Sequence, residues 1–351
     1  MSDISPQIKT AIDNAHSSAT ALQITGSGSK SFYIAKTGFD ALHISEHKGI
    51  VSYEPSELIL TARTGTRLTE IESALQERGQ MLAFEPPHFG NDATLGGTIA
   101  CNLSGPRRAF SGAARDFVLG CKIINGKGEI MQFGGQVMKN VAGYDVSRLM
   151  CGALGSLGVL LEVSLKVLPR PQAEQTLCLS MDEDNSIKKC AQLRQMPLPI
   201  SASCYHDNQL YLRLSANQDS IDNAHKTIGG EFIKTDNDEF WQNIKEQKHT
   251  FFNGSQSLWR LSLPPATAAL NVDGEILSEW GGALRWLKSD LDADKVRALV
   301  QGVGGYATLF RNASNAIDVF PPLDPVMLQL HKKLKQSFDP KNILNPGVMF
   351  S

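Results

Sequence analysis

Apolar residues recur with a period of two in short runs near the start of the chain, in ALQIT (21–25), GIVSYEP (49–55) and ELILTARTG (57–65). Turn formers bound each run, as expected for half-buried strands. The period then changes. In RLTEIESALQERG, Leu68, Ile71 and Leu75 share one helical face and Gly79 supplies the stop. VLGCKIINGKGEIMQFGG (118–135) reads as a hairpin turning at Asn125-Gly126, a dipeptide suited to the positive φ angles of a tight turn. GYDVSRLMCGALG is a helix candidate. GVLLEVSLKVLPRP alternates Leu161, Val163, Leu165 and Val167 before prolines that mark a boundary near 169–174.

Beyond that boundary the order is strand TLCLSM, helix SIKKCAQLRQ, strands ISASCYH and LYLRLS, helix SIDNAHKTIGG and strand EFIKT. This β-α-β-β-α-β sequence is a ferredoxin-like pattern. A looser set follows: SLWRLSLP, GALRWLK, the helix ADKVRALVQGV and the strand YATLFRN. The amphipathic helix DPVMLQLHKKLKQSF precedes DPKNILNPGVMF, which is too rigid and apolar for a frayed tail and is expected to fold back on the first domain. The expected division is 1–171, 172–312 and 313–351, with no internal repeats.

Composition narrows the function by exclusion. A chain of 351 residues with a formal net charge of −2 has no concentrated basic character to suggest nucleic acid or an anionic membrane as a direct partner. The beginning, MSDISPQIKTAIDNAH, lacks the basic and apolar regions of a signal peptide, so a cytoplasmic location is expected. The six cysteines are far apart, with no C-x-x-C pair and no histidine cluster at ligand spacing. They read as reduced thiols, and they supply neither a metal site nor an iron–sulfur ligand set.

Three glycine-rich stretches carry the candidate chemistry. ITGSGSKSFY contains Gly26, Ser27, Gly28, Ser29 and Lys30 but fits neither the Walker A spacing nor the dinucleotide fingerprint, since Ser31 stands at the third glycine position. Its small residues still let successive N–H groups cradle an anion, and a solvated surface turn has the same composition. In ATLGGTIACNLSG, Gly96-Gly97 in a helix-forming context implies close approach of a flat ligand or another backbone. In CGALGSLGVLLEV, Gly155 and Gly158 precede a strand whose first backbone groups, at Val159 and Leu160, can meet the edge of a heterocycle. One extended cofactor accounts for all three stretches together.

In this order and spacing, GSGSK, ATLGGTIACNLSG, RDFVLG, KNVAGYDVSRLMCGALGSLGVLLEVSLKVLPRP and FDPKNILNPG resemble the vanillyl-alcohol oxidase / p-cresol methylhydroxylase family. Within it, they resemble the smaller FAD-binding subunits of bacterial glycolate oxidase complexes. The resemblance covers essentially the whole chain and implies an α+β fold. A PCMH-type FAD-binding domain of two α+β subdomains would carry a smaller antiparallel, ferredoxin-like cap and a C-terminal segment returning to it.

The resemblance also implies FAD contacts. Gly26 to Lys30 would hold the diphosphate, and Thr94, Gly96, Gly97 and Thr98 would approach diphosphate and flavin. Asn102, Ser104 and Gly105 would continue along the isoalloxazine, with Arg115 and Asp116 nearer the ribityl and adenosine portion. Gly155, Gly158, Val159 and Asn345 would complete the site. The first loop has no histidine or cysteine for covalent attachment, so non-covalent FAD is expected; His88, beside two prolines, reads as structural. Arg260, Arg285 and Arg311 could bind a carboxylate, but each sits in an alternating strand, where a solvated or salt-bridged arginine is the expected reading. No catalytic base is assigned.

The resemblance implies oxidation of a 2-hydroxy acid such as glycolate, with a larger FAD-containing subunit and an iron–sulfur subunit as partners and any membrane contact made through the complex. A non-catalytic, FAD-stabilised scaffold is the alternative. A stand-alone reductase of the UDP-N-acetylenolpyruvoylglucosamine type shares the fold, but it leaves KNVAGYDVSRL and ILNPG without a role.

Overall fold

The computed structural model describes residues 2–33, 38–135, 145–234, 237–311 and 318–349. The motif KNVAGYDVSRL therefore lies partly outside the described residues. Two compact units form: 1–104, 112–169 and 322–351 make the first, and 105–111 with 170–321 make the second. The chain thus passes into the second unit at Pro169/Arg170, and seven residues of the glycine-rich segment, 105–111, belong to the second unit rather than to the first.

The first unit holds β1 (Leu22–Thr25), β2 (Asp40–His43), β3 (Ile50–Glu54), β4 (Ile59–Arg63), β5 (Gln80–Met81), β6 (Val118–Ile124), β7 (Ile130–Gly134), β8 (Val159–Lys166) and β9 (Leu168–Pro169). β1 and β2 form a parallel pair, β5 pairs β9, and the other five make a sheet of order β3-β4-β8-β6-β7. That sheet is apolar on both faces. Leu68, Ile71 and Leu75 of the helix Leu68–Gln76 join Val163 and Leu165 in one cluster. Ile8 and Ile12 of the helix Ser5–Ser18 join Val159, Leu161 and Ile124 in the other.

The split between Leu161 and Val163 departs from simple alternation. The β6–β8 register runs Lys122↔Glu162 and then Ile123↔Leu160, so β8 has one extra residue there. A bulge of this kind bends a strand and re-aims its neighbours, and here it lies beside the glycine-rich stretches.

Two turn readings change. The β6–β7 connection is not a two-residue turn: Asn125 closes a longer loop, its Oδ1 accepting from the N–H groups of Lys127 (2.9 Å) and Glu129 (3.0 Å). Gly128 supplies the positive φ of 79°, while Gly126 is needed because an added Cβ would lie 2.3 Å from Asp339 Oδ1. The helix expected in GYDVSRLMCGALG is limited to Val146–Met150 among the described residues.

The second unit holds β10 (Ala173–Ser180), β11 (Ile200–His206), β12 (Gln209–Ala216), β13 (Glu231–Phe232), β14 (Leu258–Ser262), β15 (Glu275–Glu279), β16 (Leu284–Lys288) and β17 (Tyr306–Arg311). They form one eight-stranded sheet of order β13-β10-β12-β11-β15-β16-β14-β17. Numbered within each half, the order is 4-1-3-2 followed by 2-3-1-4. Two ferredoxin-like halves therefore meet at their second strands, β11 and β15, which pair antiparallel. The second half lacks the helix between its first two strands, which is why its sequence looks looser and the repeat is invisible to inspection.

A buried ionic cluster ties 105–111 into this unit. Glu174 accepts from Arg107 and Ser215, and Arg213 Nε stands 3.8 Å from its carboxylate. Arg213 also donates to Ser201 Oγ at 3.0 Å and lies over the Trp241 ring. Burial pushes the Glu174 pKa up, but Arg213 and Arg107 outweigh it and hold the value below the ordinary glutamate range. The native state therefore releases this proton more readily than the unfolded chain. The resulting stabilisation is present at neutral pH and is lost as pH falls through the ordinary carboxylate range towards the lowered value. Glu174→Gln should lower the melting temperature at pH 7 and flatten its fall below about pH 5; an unchanged acid limb in a calorimetric pH series would count against this cluster.

Candidate functional site

β1 ends at Thr25, and the chain turns at once through the Gly26–Lys30 loop. Gly28 has φ 79° and no atom within 4 Å of a would-be Cβ. Its requirement is conformational, because a left-handed backbone disfavours an L side chain. Ser31 N–H donates back to Gly28 O at 3.0 Å. Among the described residues, the N–H groups of Ser27, Gly28 and Ser29 have no protein acceptor. Consecutive free amides in a turn form an anion-binding concavity. Lys30 is 4% exposed, with Nζ 3.4 Å from His88 O and 3.5 Å from Ser29 Oγ. His88 itself stands with Nε2 3.1 Å from the Glu72 carboxylate.

The second stretch begins the helix Leu95–Cys101, capped by Thr94, whose Oγ1 accepts from Gly97 N–H at 3.4 Å. Gly96 answers to protein packing: its N–H donates to Thr64 O at 2.8 Å and an added Cβ would lie 2.8 Å from Thr64 Cβ. Thr64 in turn donates from Oγ1 to Leu160 O at 2.6 Å, and from its N–H to Leu161 O at 2.9 Å, across the bulge in β8. The Leu160 carbonyl, read as free to meet a heterocycle, is thereby engaged. Thr64 was missed because a threonine closing a strand carries no motif.

The third stretch is fastened by the C-terminal segment. Asn345, 3% exposed, accepts at Oδ1 from Ile24 N–H at 2.6 Å and donates from Nδ2 to Leu154 O at 2.6 Å. Its own N–H donates to Leu22 O at 3.0 Å. One side chain thus joins β1, which feeds the first loop, to the turn at Gly155. Leu344 lies beside Leu22 in a parallel bridge. Asp339, 1% exposed, accepts from the N–H groups of Ile343 (3.0 Å) and Leu344 (2.7 Å) and from Lys335 Nζ (2.7 Å). Lys335 also donates to Ser156 O at 2.6 Å.

These three stretches line one cleft of about 950 Å³, counting its open mouth. Gly26, Ser27, Gly28, Ser29, Lys30, Thr94, Gly96, Gly97, Gly155, Gly158, Val159 and Asn345 all line it. Ile44, Thr64 and Cys101 are among those not foreseen. Burial pushes the Cys101 thiol up to about 11, against the nearby Lys30 charge, so it is protonated at neutral pH.

Six expected residues stand elsewhere. Thr98 and Asn102 are turned from the cleft lining by the helix, yet Thr98 Oγ1 and Asn102 Oδ1 are buried without a partner among the described residues. Ser104 Oγ accepts from Ala114 N–H at 3.0 Å. Gly105 belongs to the second unit, where its carbonyl accepts from Trp280 Nε1 at 3.0 Å. Asp116 accepts from Ala113 N–H at 2.9 Å, capping the short helix Ala114–Phe117, and Arg115 is exposed beside it. Capping explains why an acid sits there.

Among the arginines of the second unit, Arg285 is fully buried, bonded to the carbonyls of Thr267 and Ala268 and 3.6 Å from Glu183. It is structural. Arg260 stacks on Trp280 with 5.3 Å to the ring centroid, alongside Arg108 at 4.5 Å. Arg311 is partly buried, which lowers its pKa.

The first unit, with its glycine-lined cleft, is an FAD-binding domain: residues 5–134 match the family model described as FAD binding domain, and 322–349 match the C-terminal domain of FAD linked oxidases. The fold agrees with that class. The crystal structure of p-cresol methylhydroxylase with substrate bound superposes with a TM-score of 0.72 at 14% identity, covering 99% of this chain and 87% of that one. Alkyldihydroxyacetonephosphate synthase superposes at 0.68 and 13% identity, covering 97% and 74%. Glycolate oxidase subunit GlcE of Escherichia coli (strain K12) is 45% identical over 349 residues, 99% of this chain and 98% of that protein. The chain belongs to the glycolate oxidase subunit GlcE family. Glycolate oxidase subunit GlcD of Bacillus subtilis (strain 168) is 32% identical over 128 residues, 36% of this chain and 27% of that one. Among the described residues, no helix is long and apolar enough to cross a membrane.

Proposed function

We propose that this chain is the FAD-binding subunit of a complex that oxidises glycolate, or a related D-2-hydroxy acid, with electrons leaving through an iron–sulfur partner subunit. The observation that carries this reading is the convergence of three separate glycine-rich stretches on one cleft, in a chain collinear with a glycolate oxidase subunit over nearly its full length. Bound FAD supplies the acceptor for the hydride of the alcohol carbon.

This chain's own residues hold and orient. The amides of Ser27, Gly28 and Ser29 receive the diphosphate, with Lys30 adding positive charge from a buried position. Gly26, Thr94, Gly96 and Gly97 shape the adjoining wall, while Thr98 and Asn102 lie off the lining, behind it. Gly155, Gly158 and Val159 bring main chain to the far end, and Asn345 sets the distance between the first and third stretches. Non-covalent binding fits a cleft lined, among the described residues, by one protonated thiol, Cys101, and by no histidine. The location follows the complex, with contact at the inner membrane made only through partners.

A scaffold role without turnover is the second reading, favoured by the withdrawal of Arg285 into the interior, which removes one carboxylate grip from the second unit. Anaerobic addition of glycolate or D-lactate separates the two. Loss of the flavin absorbance near 450 nm, roughly the oxidised-flavin band, in the isolated chain would end the scaffold reading. Persistence of colour both alone and with the partner subunits would end the catalytic one.

A further inference from the structure

The first unit has a second concavity, of about 1,630 Å³ counting its open mouth, between the loop following Val146–Met150 and the helix Pro325–Phe338. Leu149, Leu157, Leu328, Leu334, Val348 and Met349 make its walls apolar. The helix has no buried residue. Val326 and Leu330, one helical turn apart and in line with Leu334, are 75% and 58% exposed. Leu334 packs against the core, whereas Val326 and Leu330 stay in water beside the apolar groove, and exposed apolar side chains in such a place mark an interaction surface.

Charge and shape identify the occupant. The helix carries Lys332, Lys333 and Lys335 and no acidic residue. Lys335 is spent on Asp339 and two carbonyls, whereas Lys332 and Lys333 are exposed. Asp339, the acidic group of the groove lining, is itself consumed by Lys335 and two backbone N–H groups. The rim is therefore positive. A bilayer takes up apolar side chains that project from a surface, whereas a concave apolar groove admits the side chains of a partner helix.

We propose that this groove docks an amphipathic segment of the larger FAD-containing subunit, its apolar side chains in the groove and its carboxylates against Lys332 and Lys333. The proposal rests on the reading of the chain as a subunit of a glycolate oxidase complex. It has a consequence for the cofactor, because Asn345 lines both this groove and the glycine-rich cleft. A partner that braces the C-terminal segment tightens FAD binding, and by reciprocity FAD tightens the partner.

The test uses the full chain, tagged and co-expressed with the larger subunit. Leu330→Asp should reduce retained partner at least tenfold while leaving the melting temperature and flavin content of the isolated chain unchanged. The double variant Lys332→Glu, Lys333→Glu should weaken retention in a salt-dependent way. Phe110→Asp, at an exposed apolar position of the second unit, should leave it intact. Flavin release should be slower from the wild-type pair than from the isolated chain, and that difference should vanish with Leu330→Asp. Retention by Leu330→Asp at the wild-type level would overturn the docking assignment and leave the subunit reading standing. Failure of the wild-type chain to retain the larger subunit would remove both. If Leu330→Asp instead abolished sedimentation with phosphatidylglycerol vesicles while keeping the partner, the surface would be a membrane contact and the proposal wrong.

Discussion

Gly28→Asp protein should leave a desalting column essentially without flavin, with FAD affinity reduced at least 100-fold. Two effects add. Any side chain here must take φ near 79°, at a cost of about 1–2 kcal/mol, less for Asp or Asn than for other residues. The carboxylate also stands beside the amides of Ser27 and Ser29, where it competes with the diphosphate and repels it. Gly28→Asn separates the two, since it has nearly the same shape and conformational preference without the charge. Asn should retain most of the flavin and Asp almost none. The surrounding space is open, so both variants should fold and melt near the wild-type temperature. Equal flavin retention by Asp and wild type would remove the diphosphate assignment from this loop.

Asp339→Ala should cost stability more than other single changes in the first unit, about 3–5 kcal/mol. The substitution leaves the Lys335 ammonium without its carboxylate and orphans the N–H groups of Ile343 and Leu344. Burial already lowers the Lys335 pKa, opposed by Asp339; without Asp339 the value should fall further. Asn345 depends on the same segment, so flavin should also leave the variant faster. Urea unfolding at pH 7 measures the first effect and flavin fluorescence the second. A loss below about 1 kcal/mol would mean that water replaces the carboxylate and that the segment is held by apolar packing.

The glycine-rich stretches were legible because their requirement is local: Gly28 needs its backbone angle, and Gly96 and Gly155 need the space that a Cβ would fill. Which polar neighbours join them is a tertiary matter. Asp116 and Ser104 have the chemistry of ligands but are bonded to the N–H groups of Ala113 and Ala114. Thr98 and Asn102 lie near Gly97 in sequence, and the helix carries them off the cleft lining. Asn345 was read as part of a returning C-terminal segment. Its role as a fastener between Ile24 and Leu154 depends on contacts more than 190 residues away in sequence. Strands were read from alternation, yet the bulge at Leu161 could not be, since an extra residue is defined only against the partner strand. The second ferredoxin-like half was partly hidden for a related reason: a loop from 263 to 274 replaces the helix that announced the first half.

The most direct measurement is the flavin content of the purified full-length chain, before and after incubation with FAD and desalting, with the protein then precipitated in acid. The cleft described here predicts close to one FAD per chain, released into the acid supernatant because it is held by amides and packing rather than by a covalent bond. Protein that stayed colourless after incubation with FAD would contradict the account, and flavin that remained with the acid precipitate would contradict its non-covalent form.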